Sequence, residues 1–252
     1  MKSTSSTNMN SESYVGIVIP CYNEARRLAR ERFFAFAQNH PIWHLVFVDD
    51  GSTDDTAQVI QQLIAQSTQQ NIHLHAIPHQ GKAAAVQAGM QYLTSLSHPW
   101  EILALYDADQ SSPLDELARL INLFSSPTAD AVFASRIQYL GTQIKRRWWR
   151  HYLGRIFATA ISLLVHLPIY DSQCGLKLFK AQKAALIFQK KFISPWFFDV
   201  EIILRLQDLR STIIECPLRQ WEDVGASKLK LSDFLLTPWS LAKIYWHYRR
   251  PF

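Results

Sequence analysis

The feature that most constrains this chain is an alternation of short strand-like runs with amphipathic stretches. From Tyr14 the runs read YVGIVIP, HLVFVDD, IHLHAIP, EILALYDAD and DAVFAS. Between them lie segments of helical character, with starts expected near Thr53, Gly81 and Pro113. Apolar runs of this length, bounded by turn residues and separated by helices, are the strands of a parallel sheet joined by crossover helices. The fold class is therefore α/β. In open sheets of this kind ligands gather at the carboxyl ends of the strands. Two of those ends carry polar clusters, PCYNE after the first run and DDGSTDDT after the second.

Beyond Ser135 the pattern changes. A basic and aromatic stretch, QIKRRWWRHYLGR, leads into an apolar helix ending near Pro168. A strand GLKLFK, a helix near 181 to 190, the helix FDVEIILRLQDL, the strand STIIECP and a tail rich in Leu, Trp and Tyr follow. With no repeat or low-complexity tract between the halves, we expect a leader over 1–13, one domain over 14–232, and an amphipathic tail over 233–252.

Composition narrows the possible roles. Of 252 residues, 48% are apolar and 19% charged, a balance that supports a buried core and excludes disorder and a multi-span membrane protein. The polar N-terminus MKSTSSTNMNSES has no apolar signal-peptide region. The longest apolar stretch, Ile156 to Tyr170, is interrupted by His166 and Pro168 and is shorter than the roughly 20 residues a spanning helix needs. Cys21, Cys174 and Cys216 show no metal or disulfide spacing, so a reducing cytoplasmic setting is expected. The formal charge of +5 admits an anionic partner: nucleic acid, a membrane surface or a phosphorylated small molecule.

The sharpest candidate for chemistry is Asp107-Ala108-Asp109 at the end of the strand ILALY. Two carboxylates one residue apart can present oxygens to Mg²⁺ or Mn²⁺, with water and diphosphate oxygens filling the remaining positions. Taken alone, the pair equally suits a strand end followed by a helix cap. At Asp49-Asp50-Gly51-Ser52-Thr53, capping of the next helix by Ser52 or Thr53, with Asp55 in its first turn, explains only part of the cluster; a carboxylate there can also bind a base or ribose. Pro20-Cys21-Tyr22-Asn23-Glu24 offers an aromatic face and a carboxylate. Gly81-Lys82-Ala83-Ala84-Ala85 opens a small-residue helix whose positive end and Lys82 favour an anion, without P-loop spacing. Trp196, Phe197 and Phe198 read as core, and Trp221 as core or as a wall of a pocket.

In this order and spacing PCYNE, VDDGSTDDT, GKAAAVQAG and YDADQSSP resemble the nucleotide-sugar half of family 2 glycosyltransferases with the GT-A fold. DSQCG from Asp171, the following KLF, WFFDVE from Trp196 and WEDVGASK from Trp221 are similar to the branch containing dolichyl-phosphate β-glucosyltransferases and polyprenyl-phosphate sugar synthases. The resemblance covers about residues 14 to 232. It implies inverting transfer of a hexose from a nucleotide diphosphate sugar, UDP-glucose being the first choice, to a polyprenyl or dolichyl phosphate at the cytoplasmic membrane face. It also implies that Pro20, Tyr22 and Asp50 hold the nucleoside, that Glu24 and Lys82 lie near nucleotide and diphosphate, and that Asp109 binds the metal. Asp107 would contact the ribose, the metal or a metal-bound water. Polyprenyl-phosphate mannose synthases often have Gln two residues after the second Asp; here Ser111 stands there and Gln110 one place earlier.

If the acceptor is a phosphate its oxygen is already anionic, and Arg136 or an arginine of KRRWWRHYLGR is the candidate to hold it. A hydroxyl acceptor, as in surface polysaccharide synthesis, would require a base, for which Asp171, Asp199 and Glu201 are the candidates. Catalytic candidates are thus Asp109, Asp171 and Arg136. The basic aromatic stretch from Lys145 to Arg155, with Trp148, Trp149 and Tyr152, and the tail with Arg249 and Arg250 suit either a lipid headgroup surface or a solvated turn before core. A non-catalytic nucleotide-sugar binding module is the alternative from another class. A nucleic-acid partner is disfavoured, because no recognised module accompanies the basic residues.

Overall fold

The structure is a computed structural model that describes residues 13–124, 129–145, 159, 161–163, 166, 169–224 and 231–248; for 231–238 it describes the backbone alone. The N-terminal leader, the Trp148, Trp149 and Tyr152 cluster, the apolar segment up to Pro168 for the most part, and Arg249 and Arg250 lie outside these residues.

In chain order the elements are β1 (Tyr14–Cys21), α1 (Arg30–Asn39), β2 (Trp43–Asp50), α2 (Thr56–Gln66), β3 (Ile72–Ile77), α3 (Lys82–Ser95), β4 (Trp100–Leu105), α4 (Leu114–Phe124), β5 (Ala131–Ser135), β6 (Gln143–Lys145), β7 (Lys177–Lys180), α5 (Ala181–Ile187), α6 (Phe198–Asp208), β8 (Ile213–Pro217), β9 (Gln220–Glu222) and α7 (Leu231–Tyr248). Seven strands form one sheet in the order β3-β2-β1-β4-β7-β5-β8, and β6 and β9 form a small separate ribbon. Every pairing of the large sheet is parallel except the two made by β7. The first four strand-helix units fall where the periodicity of the sequence puts them. The antiparallel insertion of β7 between β4 and β5 is not visible in that periodicity.

The sheet is buried on both faces, which explains why β2, WHLVFVDD, is apolar on both sides and buried at every position. One face packs Phe33, Phe47, Tyr106 and Leu117 under α1, α2 and α4. The other packs Val18, Val48, Leu105, Phe133 and Phe179 under α3, α5 and α6. Helix α3 lies close to the sheet because a Cβ at Gly89 would stand 2.5 Å from Val18 Cγ1, so the absent side chain sets the distance.

Two local expectations are corrected. No side chain of Ser52, Thr53 or Asp55 caps α2; Asp54 accepts the Thr56 N–H at 3.0 Å instead. Trp196 is half exposed at 52% and outside the core, whereas Phe198 is buried. The chain turns at Ser194, which caps Phe197 N–H at 3.1 Å, and Trp196 falls on the outer side of that turn.

At the amino ends of the strands, away from the polar clusters, His44 Nδ1 lies 2.9 Å from His73 Nε2. His98 and Trp100 pack against His44 with ring centroids 4.7 and 5.2 Å away. Burial, reinforced by the neighbouring rings of His73 and His98, lowers the His44 pKa to about 4. The unfolded chain protonates at about 6.5, so it takes up a proton that the folded chain refuses until about pH 4. Stability therefore falls as pH drops across that window and is fully present above it. Urea unfolding of the protein and of His44→Gln should show a shallower pH dependence in the variant between about 6.5 and 4; identical slopes would exclude this contribution.

Candidate active site

The carboxyl ends of β1, β2, β4 and β5 converge, and the expected site residues lie there. The loop after β1 and the loop after β2 are joined by hydrogen bonds between motif residues. Asn23 N–H donates to Ser52 Oγ at 2.9 Å, Thr53 N–H to Asn23 Oδ1 at 2.8 Å, and Glu24 N–H to Thr56 Oγ1 at 2.8 Å. Asp49 accepts from Ser52 N–H at 3.2 Å and from the Ser52 hydroxyl. Much of PCYNE and DDGST thus serves to build its own scaffold. Glu24, a buried residue, pairs through its carboxylate with Arg27 at 2.5 Å.

Asp50 joins β2 to the start of α3. Its oxygens accept the backbone N–H groups of Gln80 and Gly81, both at 2.8 Å. His79 Nδ1 is 2.9 Å from Asp50 Oδ2, and the imidazole stacks on Tyr22 with centroids 4.2 Å apart. Gly51 makes this possible: its φ is +64°, and a Cβ there would lie 2.7 Å from His79 N.

Lys82, the first residue of α3, reaches across to Asp107, with Nζ 2.6 Å from Oδ1. Burial opposes charge on both groups, but the opposite charges around them, the partner's first, more than offset it, so the Asp107 pKa is lowered and the Lys82 pKa raised. The turn after β4 is held by Tyr106, whose buried hydroxyl donates to Ser112 O, and by Asp109 Oδ1, which accepts Ser111 N–H at 2.9 Å. Ser111 O in turn accepts Glu222 N–H of β9 at 2.8 Å. Ser111 therefore contributes main-chain atoms that bind the β6–β9 ribbon to this turn.

Because β7 runs antiparallel, the loop 171–176 before it lies beside the carboxyl ends of β4 and β5. Gly175 faces Asp107 so closely that a Cβ would stand 1.9 Å from Asp107 Oδ2. Arg136, just past β5, grips Asp171 through Nε to Oδ2 at 2.6 Å and Nη2 to Oδ1 at 2.7 Å, and its backbone N–H adds a bond at 3.0 Å. Trp221 covers the guanidinium, 5.2 Å from ring centroid to Cζ. The Asp171-paired guanidinium is held charged in spite of its burial. Behind this pair, fully buried Lys177 binds Asp199 at 2.6 Å. Glu201 accepts the N–H groups of Ile193 and Ser194.

Pro20, Tyr22, Glu24, Asp50, Lys82, Asp107 and Asp109 thus lie at one rim, with Arg136 and Asp171 on adjoining segments. Sequence reasoning missed His79, Gly175 and Lys177. Gly175 and Lys177 sit within the DSQCG and KLF blocks, but no local spacing marks their partners.

A family profile described as glycosyl transferase family 2 matches residues 16–192, more than half of the chain. The chain belongs to this family. As a family 2 glycosyltransferase it is an enzyme, and its fold is GT-A. It is 30% identical over 252 aligned residues to a dolichyl-phosphate beta-glucosyltransferase of Trichomonas vaginalis, covering 95% of this chain and 73% of that protein. It is 31% identical to the dolichyl-phosphate beta-glucosyltransferase of Saccharomyces cerevisiae, covering 88% and 70%. Among solved structures, glucosyl-3-phosphoglycerate synthase of Mycobacterium tuberculosis in complex with UDP aligns with a TM-score of 0.65 at 13% identity, covering 94% of this chain and 80% of that one. A mannosyltransferase of Pyrobaculum calidifontis in complex with GDP-Man and Mn²⁺ aligns with a TM-score of 0.64 at 19% identity, covering 95% and 65%. These structural likenesses establish the fold.

The donor set of this glycosyltransferase suits a hard divalent ion. Asp107 and Asp109 leave the same strand end, and the space for the Asp107 carboxylate is kept open by the missing side chain of Gly175. Lys82, paired with Asp107, places a positive charge beside them.

Proposed function

We propose that this enzyme transfers glucose from UDP-glucose to a polyprenyl or dolichyl phosphate, with inversion, at the cytoplasmic face of a membrane. The observation that carries the choice of acceptor is the state of the three candidate bases. Asp171 is clamped by Arg136, Asp199 by Lys177, and Glu201 by backbone N–H groups. A hydroxyl acceptor would require one of them as a proton acceptor, whereas a lipid phosphate arrives as an anion and needs only a counter-charge and alignment. The names of the relatives from Trichomonas vaginalis and Saccharomyces cerevisiae agree with that acceptor.

In this reading Pro20, Tyr22, Glu24 and Asp50 seat the nucleoside, and Asp107 and Asp109 hold Mg²⁺ or Mn²⁺. The ion, when bound, stabilises the charge that develops on the departing nucleoside diphosphate. Lys82 moves its charge from Asp107 to the same diphosphate. Arg136, aligned by Asp171 and covered by Trp221, directs the acceptor phosphate so that its oxygen approaches the anomeric carbon opposite the leaving group. The new carbon–oxygen bond forms as the bond to UDP breaks, and the configuration inverts. Residues 14–232 form the transferase domain.

Helix α7 supports attachment to the membrane surface. Its inner side is anchored by buried Ile244 and by Tyr248, whose hydroxyl donates to Glu201 at 3.1 Å and accepts from Arg205 at 2.8 Å. Trp239 and Trp246, seven residues apart and so on one face, are 74% and 64% exposed, with exposed Lys243 between them. Indoles beside a cation suit the headgroup layer. Among the described residues no helix is long and apolar enough to cross a membrane.

The test is incubation of the protein with UDP-glucose, Mn²⁺ and dolichyl or undecaprenyl phosphate. A chloroform-extractable glucosyl phospholipid identified by mass spectrometry is expected, together with flotation of the protein on anionic vesicles. Transfer to a sugar hydroxyl without any lipid would replace this acceptor assignment, and nucleotide-sugar binding without turnover on any acceptor would favour a binding module.

A further inference from the structure

Three donors meet the Asp50 carboxylate, and they are not equivalent. The N–H groups of Gln80 and Gly81 belong to the turn into α3 and cannot withdraw without unwinding it. The third donor is His79, on a side chain 52% exposed that can rotate outward. Its Nδ1 lies 2.9 Å from Asp50 Oδ2 and 3.0 Å from Asp50 O. Both are acceptors, so Nδ1 carries the hydrogen. The same ring lies on Tyr22, tilted by 21° with centroids 4.2 Å apart. One face on an aromatic ring and one in-plane N–H on a carboxylate are the two contacts a pyrimidine base would make.

We propose that His79 holds the place of the nucleobase in the donor-free protein and rotates out when the donor binds. The proposal rests on the nucleotide-sugar reading above, which assigns Tyr22 and Asp50 to the nucleoside. The N–H groups of Gln80 and Gly81 stay on Oδ1 and Oδ2, so a base gains the one acceptor position that His79 gives up. The closed imidazole lowers the fraction of binding-competent protein, so the donor binds more weakly than the open site would allow. No nucleotide sugar can occupy Tyr22 while His79 covers it.

Calorimetric titration of the full chain with UDP, Mn²⁺ present, tests this. His79→Ala should bind UDP about tenfold more tightly than the natural protein, the size expected for removing a competing stack and hydrogen bond. Adding Tyr22→Ala to His79→Ala should reverse the gain, with circular dichroism confirming that each variant is folded. Weaker UDP binding by His79→Ala would mean that the imidazole supports the bound base, and unchanged affinity would mean that it stands elsewhere; either result overturns the proposal. If neither protein binds any nucleotide, the donor reading itself falls and this proposal with it.

Discussion

Asp109→Ala reduces glycosyl transfer by about a thousandfold or more, the scale of losing the principal electrostatic stabiliser of a leaving group, while the fold is unaffected. The side chain is partly exposed at the rim, and the hydrogen bond described for it closes only its own turn, from Ser111 N–H at 2.9 Å. Little of the core depends on it, so the melting temperature should shift by no more than about 2 °C, as expected for a surface change outside core and caps. Measured side by side, turnover and thermal unfolding separate the metal role from a structural one. Activity within about tenfold of the natural enzyme, set against the scale above, would remove Asp109 from the metal site. An equally large loss of stability would reassign it to the scaffold.

Gly175→Ala is expected to reduce activity by about a hundredfold, for a different reason. The new methyl would sit 1.9 Å from Asp107 Oδ2 and 2.3 Å from Asp107 Cγ, far inside van der Waals contact. An aspartate side chain is too short to bend its carboxylate away while keeping its position, so it must rotate. Rotation breaks the 2.6 Å pair with Lys82 and removes one of the two carboxylates from the cation site. Misplacing a positioning group by about 1 Å costs on the order of a hundredfold, and the added crowding costs about 1–3 kcal/mol of stability. The diagnostic readout is the Mn²⁺ concentration required for half-maximal activity, which should rise in Gly175→Ala. A variant that loses stability but keeps its metal requirement would show that Gly175 matters for packing alone.

How much of this was legible in the sequence differs from residue to residue. The first four strands, the helices between them, and the placement of Tyr22, Asp50, Lys82, Asp107 and Asp109 at strand ends follow from the alternation of apolar runs and polar loops. That pattern is local, and a strand followed by a crossover helix returns the chain to the same edge each time. The clustering of motif residues at one rim was therefore visible in their positions at the ends of the runs. Their partners were not. Asp50 is expected at the nucleoside from its motif; the structure places it at the strand-end rim, where it fastens the turn into α3. Likewise Arg136 and Asp171, taken as separate candidates, form one ion pair. Trp196 shows the converse failure: an aromatic residue beside two others reads as core, yet the turn at Ser194 points it outward.

By itself the sequence determined the α/β class, the parallel half of the sheet and which loops gather at the carboxyl ends of its strands, since each depends on residues within one strand or one helix of one another. Tertiary structure alone decided the active-site pairings. Strand β7 enters antiparallel between β4 and β5, with Lys177 opposite both Leu105 and Phe133, and this swings the 171–176 loop back to the carboxyl ends of its neighbours. Only then does Gly175 meet Asp107, Asp171 meet Arg136, and Lys177 meet Asp199. Strand direction and strand order are set by which faces bury together, a property of the whole core that no short window of residues contains.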